Sequence, residues 1–95
     1  MIDAVTVGAT TTTVLARNTK GNRRLVVLCN NSNEDMYVNP GPAAYSTFGI
    51  PLVASGGSWT DKPDTKGWMY QGIYTGICAS GGKVLSVTEL TYDSQ

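Results

Sequence analysis

The chain has 95 residues, with seven basic and seven acidic side chains, two cysteines and no histidine. That length makes one domain with a thin core, burying somewhat over ~60% of its unfolded surface. A formal charge of zero exerts no general pull toward nucleic acid or an anionic membrane, and the lack of histidine removes the commonest general base, the commonest metal ligand and every Ser–His or Cys–His nucleophile pair.

Short apolar runs are punctuated every few residues by Gly, Asn, Ser, Thr and Pro, and no stretch of helical length carries a 3.6-residue period. This predicts a single all-β domain over residues 1–95, an antiparallel β-sandwich or jelly-roll-like barrel of seven to eight short strands. Val5 to Val7 reads as a first strand. Thr10 to Thr13 leads into Val14-Leu15-Ala16 as an extended edge or connector, since β-branched Thr suits a pleated surface. Asn18 to Asn22 is a turn. Arg23 to Cys29 is the best strand, and its unbroken apolar run from Leu25 implies burial on both faces, at the centre of the fold or under a partner.

Asn30 to Glu34 is the next turn, and Met36-Tyr37-Val38 is a strand that ends at Asn39-Pro40-Gly41-Pro42, whose prolines cannot donate to a ladder. Ala43 to Gly49 is irregular. Ile50 to Val53 is an edge strand, because Pro51 forbids a central place. A turn at Ser55-Gly56-Gly57 precedes a strand at Ser58-Trp59-Thr60, and Asp61 to Gly67 is a polar loop. Trp68 to Ala79 predicts one long or two short strands, with Gly72 and Gly76 at bulges or points of close packing. Ser80-Gly81-Gly82-Lys83 carries a hairpin signal. Val84 to Thr91 then alternates, with Val84, Ser86 and Thr88 on one side and Leu85 and Val87 on the other. The last residues are expected to be loose.

Cys29 and Cys78 each lie near the end of an apolar strand. A disulfide between neighbouring strands and two reduced thiols acting as small hydrophobes both fit; the reduced state is favoured. Met1-Ile2-Asp3 lacks the features of a secretory leader, and no apolar run approaches the ~18–20 residues that cross a bilayer, so a soluble protein made in the cytoplasm is expected. Without that leader, the glycosylation pattern Asn30-Asn31-Ser32 has no meaning. No metal or cofactor site is expected: two cysteines without a CxxC spacing do not build a zinc centre, and no glycine-rich phosphate loop opens a helix.

The acid pairs Glu34/Asp35 and Asp61/Asp64 fall in predicted surface loops and read as turn formers rather than as catalytic carboxylates or a calcium loop. A hydrolase built on Asp61, Asp64 or Glu89 ranks last among the functions considered. Arg17, Lys20, Arg23 and Arg24 flank one turn as the only local basic cluster, with no aromatic beside them for base stacking, so a solvated hairpin tip is preferred to a nucleic-acid contact. Trp59, Trp68, Tyr45, Tyr70 and Tyr74 concentrate mid-chain. They suit core anchors or subunit interfaces better than a sugar platform. The candidate interface is Met36, Tyr37, Tyr45, Phe48, Ile50, Trp59, Trp68 and Tyr70, aromatic and aliphatic groups beside Pro/Gly-rich loops.

One ordered set of motifs spans nearly the whole chain. It runs from Ala9–Leu15 through Arg23-Arg24-Leu25-Val26-Val27-Leu28, the turn Asn30–Asn33 and Met36-Tyr37-Val38. It continues through Gly49-Ile50-Pro51-Leu52, Gly56-Gly57-Ser58-Trp59, Ile73-Tyr74, Ile77–Gly82 and Val87-Thr88-Glu89. In this order the segments resemble small structural proteins of tailed bacteriophages. The resemblance implies a non-enzymatic virion component on the capsid exterior, of the decoration or cement type, with the major capsid protein or other virion proteins as partners. It also implies a homo-oligomer, with a trimer the first option; the neutral charge and the lack of a spanning run argue separately against a membrane partner and disfavour nucleic acid. The alternative is a tail or head-fibre module that binds a host receptor or carbohydrate.

Overall fold

Eight segments are extended in the computed structural model, which describes residues 1–92: β1 (Ile2–Val7), β2 (Thr12–Leu15), β3 (Arg23–Asn30), β4 (Met36–Pro40), β5 (Ile50–Leu52), β6 (Gly57–Asp61), β7 (Tyr74–Cys78) and β8 (Lys83–Thr91). They form two four-stranded antiparallel sheets, ordered β1-β8-β3-β6 and β2-β7-β4-β5. The pairing is nested, β1 with β8, β2 with β7, β3 with β6 and β4 with β5. A long antiparallel ribbon folded over on itself in this way is a jelly roll, so the sandwich expected from the sequence is the fold observed.

Alternation decides which side of each strand is covered. Val26 and Leu28 of β3 and Leu85 and Val87 of β8 point inward with no exposed surface, and meet Met36, Val38, Leu52 and Tyr74 of the other sheet. The register of β2 shifts between Thr13 and Leu15. The extra residue of that bulge lets the consecutive Val14 and Leu15 both enter the core. Gly76 lies between them and β4: a Cβ there would stand 3.2 Å from Val14 and 3.3 Å from Val38, so it is a close-packing glycine as expected. Pro51 lies on an edge strand. Cys29 and Cys78 sit in different sheets as free thiols, Cys78 buried and Cys29 partly exposed.

Two expectations fail. Trp68 to Ile73 is not a strand; only Tyr74–Cys78 is. The carbonyls of Tyr70 and Gly72 accept from the Arg23 guanidinium, and the Gln71 side chain bonds the Arg23 backbone, so this stretch serves a side chain instead of a ladder. The Ser80–Lys83 turn is not a hairpin, because β7 and β8 belong to different sheets. Gly81 and Gly82, at φ of 72° and 71°, reverse the chain as a hairpin would, but the reversal bridges the two layers. The expectation of loose final residues falls, from residue 93 onward, outside the described residues.

The connections β1–β2, β3–β4, β5–β6 and β7–β8 gather at one end of the sandwich, and β2–β3, β4–β5 and β6–β7 at the other. At the first end Cys78 N donates to Gly8 O and Gly56 N to Asn30 O; at the second, Asn18 N donates to Gln71 O and Gly41 N to Ile73 O. From Gly41 the β4–β5 connection folds back across the outside of the second sheet. Thr75 Oγ1 donates to Gly41 O, and Ala44 exchanges two hydrogen bonds with the Thr11 hydroxyl. Thr75 is consequently 1% exposed although it points away from the core. One outer face is thus partly covered by the chain itself, around Thr75, with Thr13 and Pro51 still exposed, and the other is open.

Candidate interaction surfaces

The open face belongs to the sheet β1-β8-β3-β6, and strand register sets its composition. Directly paired residues point the same way, so Ile2, Thr88, Val27 and Thr60 form one outward row and Ala4, Ser86, Cys29 and Ser58 the next. Thr6 pairs with Val84 at one end of this surface and Leu25 with Leu90 at the other. None of these twelve side chains carries a charge. Ile2 is 79% and Val84 49% exposed, while Leu25, Val27 and Cys29 on the central strand are half-buried by their neighbours. Charge is confined to the rim, at exposed Arg24, Lys62 and Asp3, at half-buried Lys83 and at the Met1 ammonium. A hollow of about 640 Å³ continues the face at its β1–β8 corner, between Ile2, Ala4 and Val84 and the Asn31–Asn33 turn. A solvated sheet normally carries polar and charged groups on its wet side; here that side carries Thr, Ser, Ala and aliphatic groups.

The sequence-expected interface residues divide into three groups. Met36 is fully buried in the core and has no surface to offer a partner. Trp59 and Tyr70 are half-buried, their rings edge-on to Tyr74 at 5.6 and 5.3 Å, and the Tyr70 hydroxyl donates to Ile73 O. Tyr37 and Ile50 are also half-buried, in neighbouring strands of the second sheet. Tyr45, Phe48 and Trp68 are 60%, 70% and 69% exposed. Trp68 stands on a tight turn: Asp64 Oδ1 accepts from Lys66 N and Trp68 N at 2.9 Å each, and Asp64 N donates to Trp68 O. Tyr45 and Phe48 bracket a second turn, in which Phe48 N donates to Tyr45 O.

The basic cluster loses one member in space. Arg23 points inward, 1% exposed. Its Nε lies 2.7 Å from Glu89 Oε2, Nη1 donates to Tyr70 O and Gly72 O, Nη2 donates to Ala16 O, and its guanidinium lies 5.6 Å from the Tyr74 ring centroid. Arg17, Lys20 and Arg24 remain outside. A hollow of about 570 Å³ lies beside Arg17 and Lys20, between the Asn18–Gly21 turn and Tyr70–Ile73.

The carboxylates have structural partners. Glu34 accepts from Ser80 N and Ser80 Oγ at 2.7 Å each, and these bonds, the hydroxyl first, hold its carboxyl below the ordinary range. Asp35 accepts from Ala54 N, and Asp61 accepts from the Tyr74 hydroxyl. Burial, reinforced by the Asp61 charge, pushes the Tyr74 phenol well above its ordinary value. Among the described residues no three His, Cys, Asp or Glu side chains converge as metal ligands, and no helix is long and apolar enough to cross a membrane.

No protein-family model matches this chain, and comparison with curated proteins and with solved structures likewise gives no match.

The open face has a signal in the sequence that only strand register makes readable. Outward positions on β1, β3, β6 and β8 are Thr, Ser, Ala, Val, Leu, Ile and Cys, where Lys and Glu would ordinarily stand.

Proposed function

We propose that this protein is a non-enzymatic structural component of a bacteriophage virion, a decoration or cement protein that binds the outside of the assembled capsid and stabilises it. The observation that carries the reading is the presentation of Tyr45, Phe48 and Trp68, three large aromatic side chains exposed on short, internally bonded turns. Large aromatics on rigid supports are the usual anchors of protein–protein contacts, because they bury much area at little entropic cost. The order of motifs along the chain supplies the virion context, and an eight-stranded jelly roll is an architecture that capsid proteins use. The acids add support in the negative sense: Glu34, Asp35, Asp61 and Asp64 are each engaged by turns or neighbouring strands. Stabilisation would follow from linkage, since a protein that binds the assembled lattice and not free subunits shifts the balance toward the lattice, and many weak contacts on one particle add through effective concentration.

Quantitative mass spectrometry of purified particles tests this reading. A copy number near that of the major capsid protein is expected. A few copies per particle would move the protein to a tail or fibre, and absence from particles would overturn the proposal. Trp68→Ala is expected to fold normally and to weaken binding to capsids at least tenfold, the loss typical of an interface anchor. The same exposed aromatics would serve the alternative, a fibre module that stacks on carbohydrate. Glycan binding lost on Trp68→Ala, with capsid binding unchanged, would decide for that alternative.

A further inference from the structure

We infer that the open face of the β1-β8-β3-β6 sheet is covered by a second copy of this chain, the two copies packing back to back about a twofold axis. This inference is independent of the virion reading and of the aromatic turns on which that reading rests.

Area is the first argument. Four strands about 4.8 Å apart and mostly six to nine residues long give a flat footprint of roughly 500 Å². Two copies would therefore bury about 1,000 Å² or somewhat more once side-chain relief is counted, which reaches the lower bound for a specific interface. Charge is the second argument. A partner with a charged docking surface would bury those charges against Thr, Ser, Val and Leu, leaving them unpaired at a cost of several kcal/mol. A second copy of the same uncharged face meets no such penalty, and the chain's net charge of zero sets up no long-range repulsion between copies. The third argument is geometric. Two sheet faces can stack about 10 Å apart with their side chains interleaved, and a twofold contact uses the same patch on both partners. The opposite side of the molecule is the poorer match, because the β4–β5 connection crosses part of it, tied to Thr11 and Thr75, and breaks its flatness.

This arrangement differs from the trimer favoured on sequence. It also accounts for the apolar run Leu25–Cys29: Val26 and Leu28 fill the core of one sandwich, and Leu25, Val27 and Cys29 fill the seam between two.

Sedimentation of the full chain over a hundredfold concentration range, joined to thiol cross-linking, tests the inference. Cys29 is the one thiol on this face, and Cys78 is buried. The wild type is expected to pass from monomer to dimer, and a short thiol-specific cross-linker is expected to trap a covalent dimer that Cys29→Ala abolishes. Thr60→Lys and Val27→Lys place like charges in the seam and are expected to raise the dimer dissociation constant at least tenfold. Thr60 is exposed, so Thr60→Lys keeps the test open if Val27→Lys fails to fold. Thr13→Lys, exposed on the outer side of the opposite sheet, is expected to dimerise like the wild type. A wild type that stays monomeric, a trimer, or a dimer that Thr60→Lys leaves intact would each overturn the inference.

Discussion

Arg23 shows how a residue that reads as a surface charge can become the internal tie of a small fold. It follows a turn and precedes an apolar run, a place where a cation commonly meets water. Instead its side chain enters the sandwich and reaches three segments, through Glu89 on β8, Ala16 after β2, and Tyr70 and Gly72 before β7. Removing one partner of a buried ion pair costs about 3–5 kcal/mol, because the other partner is left desolvated and alone. A jelly roll of this size has about 5–15 kcal/mol in total. Arg23→Ala is therefore expected to lower the urea midpoint drastically or to abolish folding, whereas Arg24→Ala, at the next position but exposed, should stay within about 0.5 kcal/mol of wild type. Equal unfolding curves for the two variants would contradict this.

Tyr74, beneath the same guanidinium, gives a pH signature. Its folded phenol holds its proton more tightly than an unfolded tyrosine, whose ordinary value is 10.0. The associated stability is fully present below that value and is lost as pH rises above it. Tyr74→Phe should cost about 1 kcal/mol at neutral pH, for the hydrogen bond to Asp61. It should also flatten the loss of stability above pH 10. An alkaline limb equally steep in both proteins would show that this phenol is not its source.

At the level of elements, the strands were largely legible in the sequence and their wiring was not. Arg23–Cys29, Met36–Val38, Ser58–Thr60 and Val84–Thr91 all fall within observed strands, because apolar alternation is a local property that burial of one face enforces. Turn chemistry is local too, so Gly81-Gly82 could announce a reversal but not whether the chain stays in its sheet or crosses to the facing one. That choice is settled by distant contacts, such as Cys78 N donating to Gly8 O. Trp68–Ile73 misled for the related reason that its backbone partner is the side chain of Arg23. The candidate site was legible only as the exposed aromatics; the open face required the register of four strands.

The Asn30 turn looks like a plain polar reversal in sequence, yet it joins three connections. Asn30 is fully buried; its Nδ2 donates to Glu34 O and Leu52 O, and its Oδ1 accepts from Ser32 N and Ser32 Oγ. Asn30→Ala leaves these groups without partners and should cost about 3 kcal/mol, measurable by chemical unfolding. Nearby, Glu34 bonds Ser80 across to the β7–β8 connection. Its lowered folded pKa means that its contribution is present above the ordinary value of 4.5 and fades as pH falls below it. Glu34→Gln should remove part of the acid sensitivity of wild type below pH 4.5, and identical acid-unfolding profiles would rule that role out.

For the whole molecule, size and association are two sides of one problem. A chain of 95 residues has a single thin core between two short sheets, and such a core leaves little stability in reserve. Pairing two open faces would convert Leu25, Val27, Leu90 and Ile2 from wetted surface into a second apolar layer. The consequence is a melting temperature that depends on concentration, since any contact made by the folded state alone stabilises it by mass action. Above the dimer Kd, each tenfold rise in concentration adds about 1.4 kcal/mol per dimer, hence about 0.7 kcal/mol per chain. For a domain of this size that is about 3–5 °C in Tm. Thr60→Lys should melt at a temperature that hardly changes with concentration and that matches the wild type only at high dilution. A wild-type Tm that is flat over the same range would mean that the uncharged face stays wet in solution, and that the stability of the folded chain is set by its own two sheets.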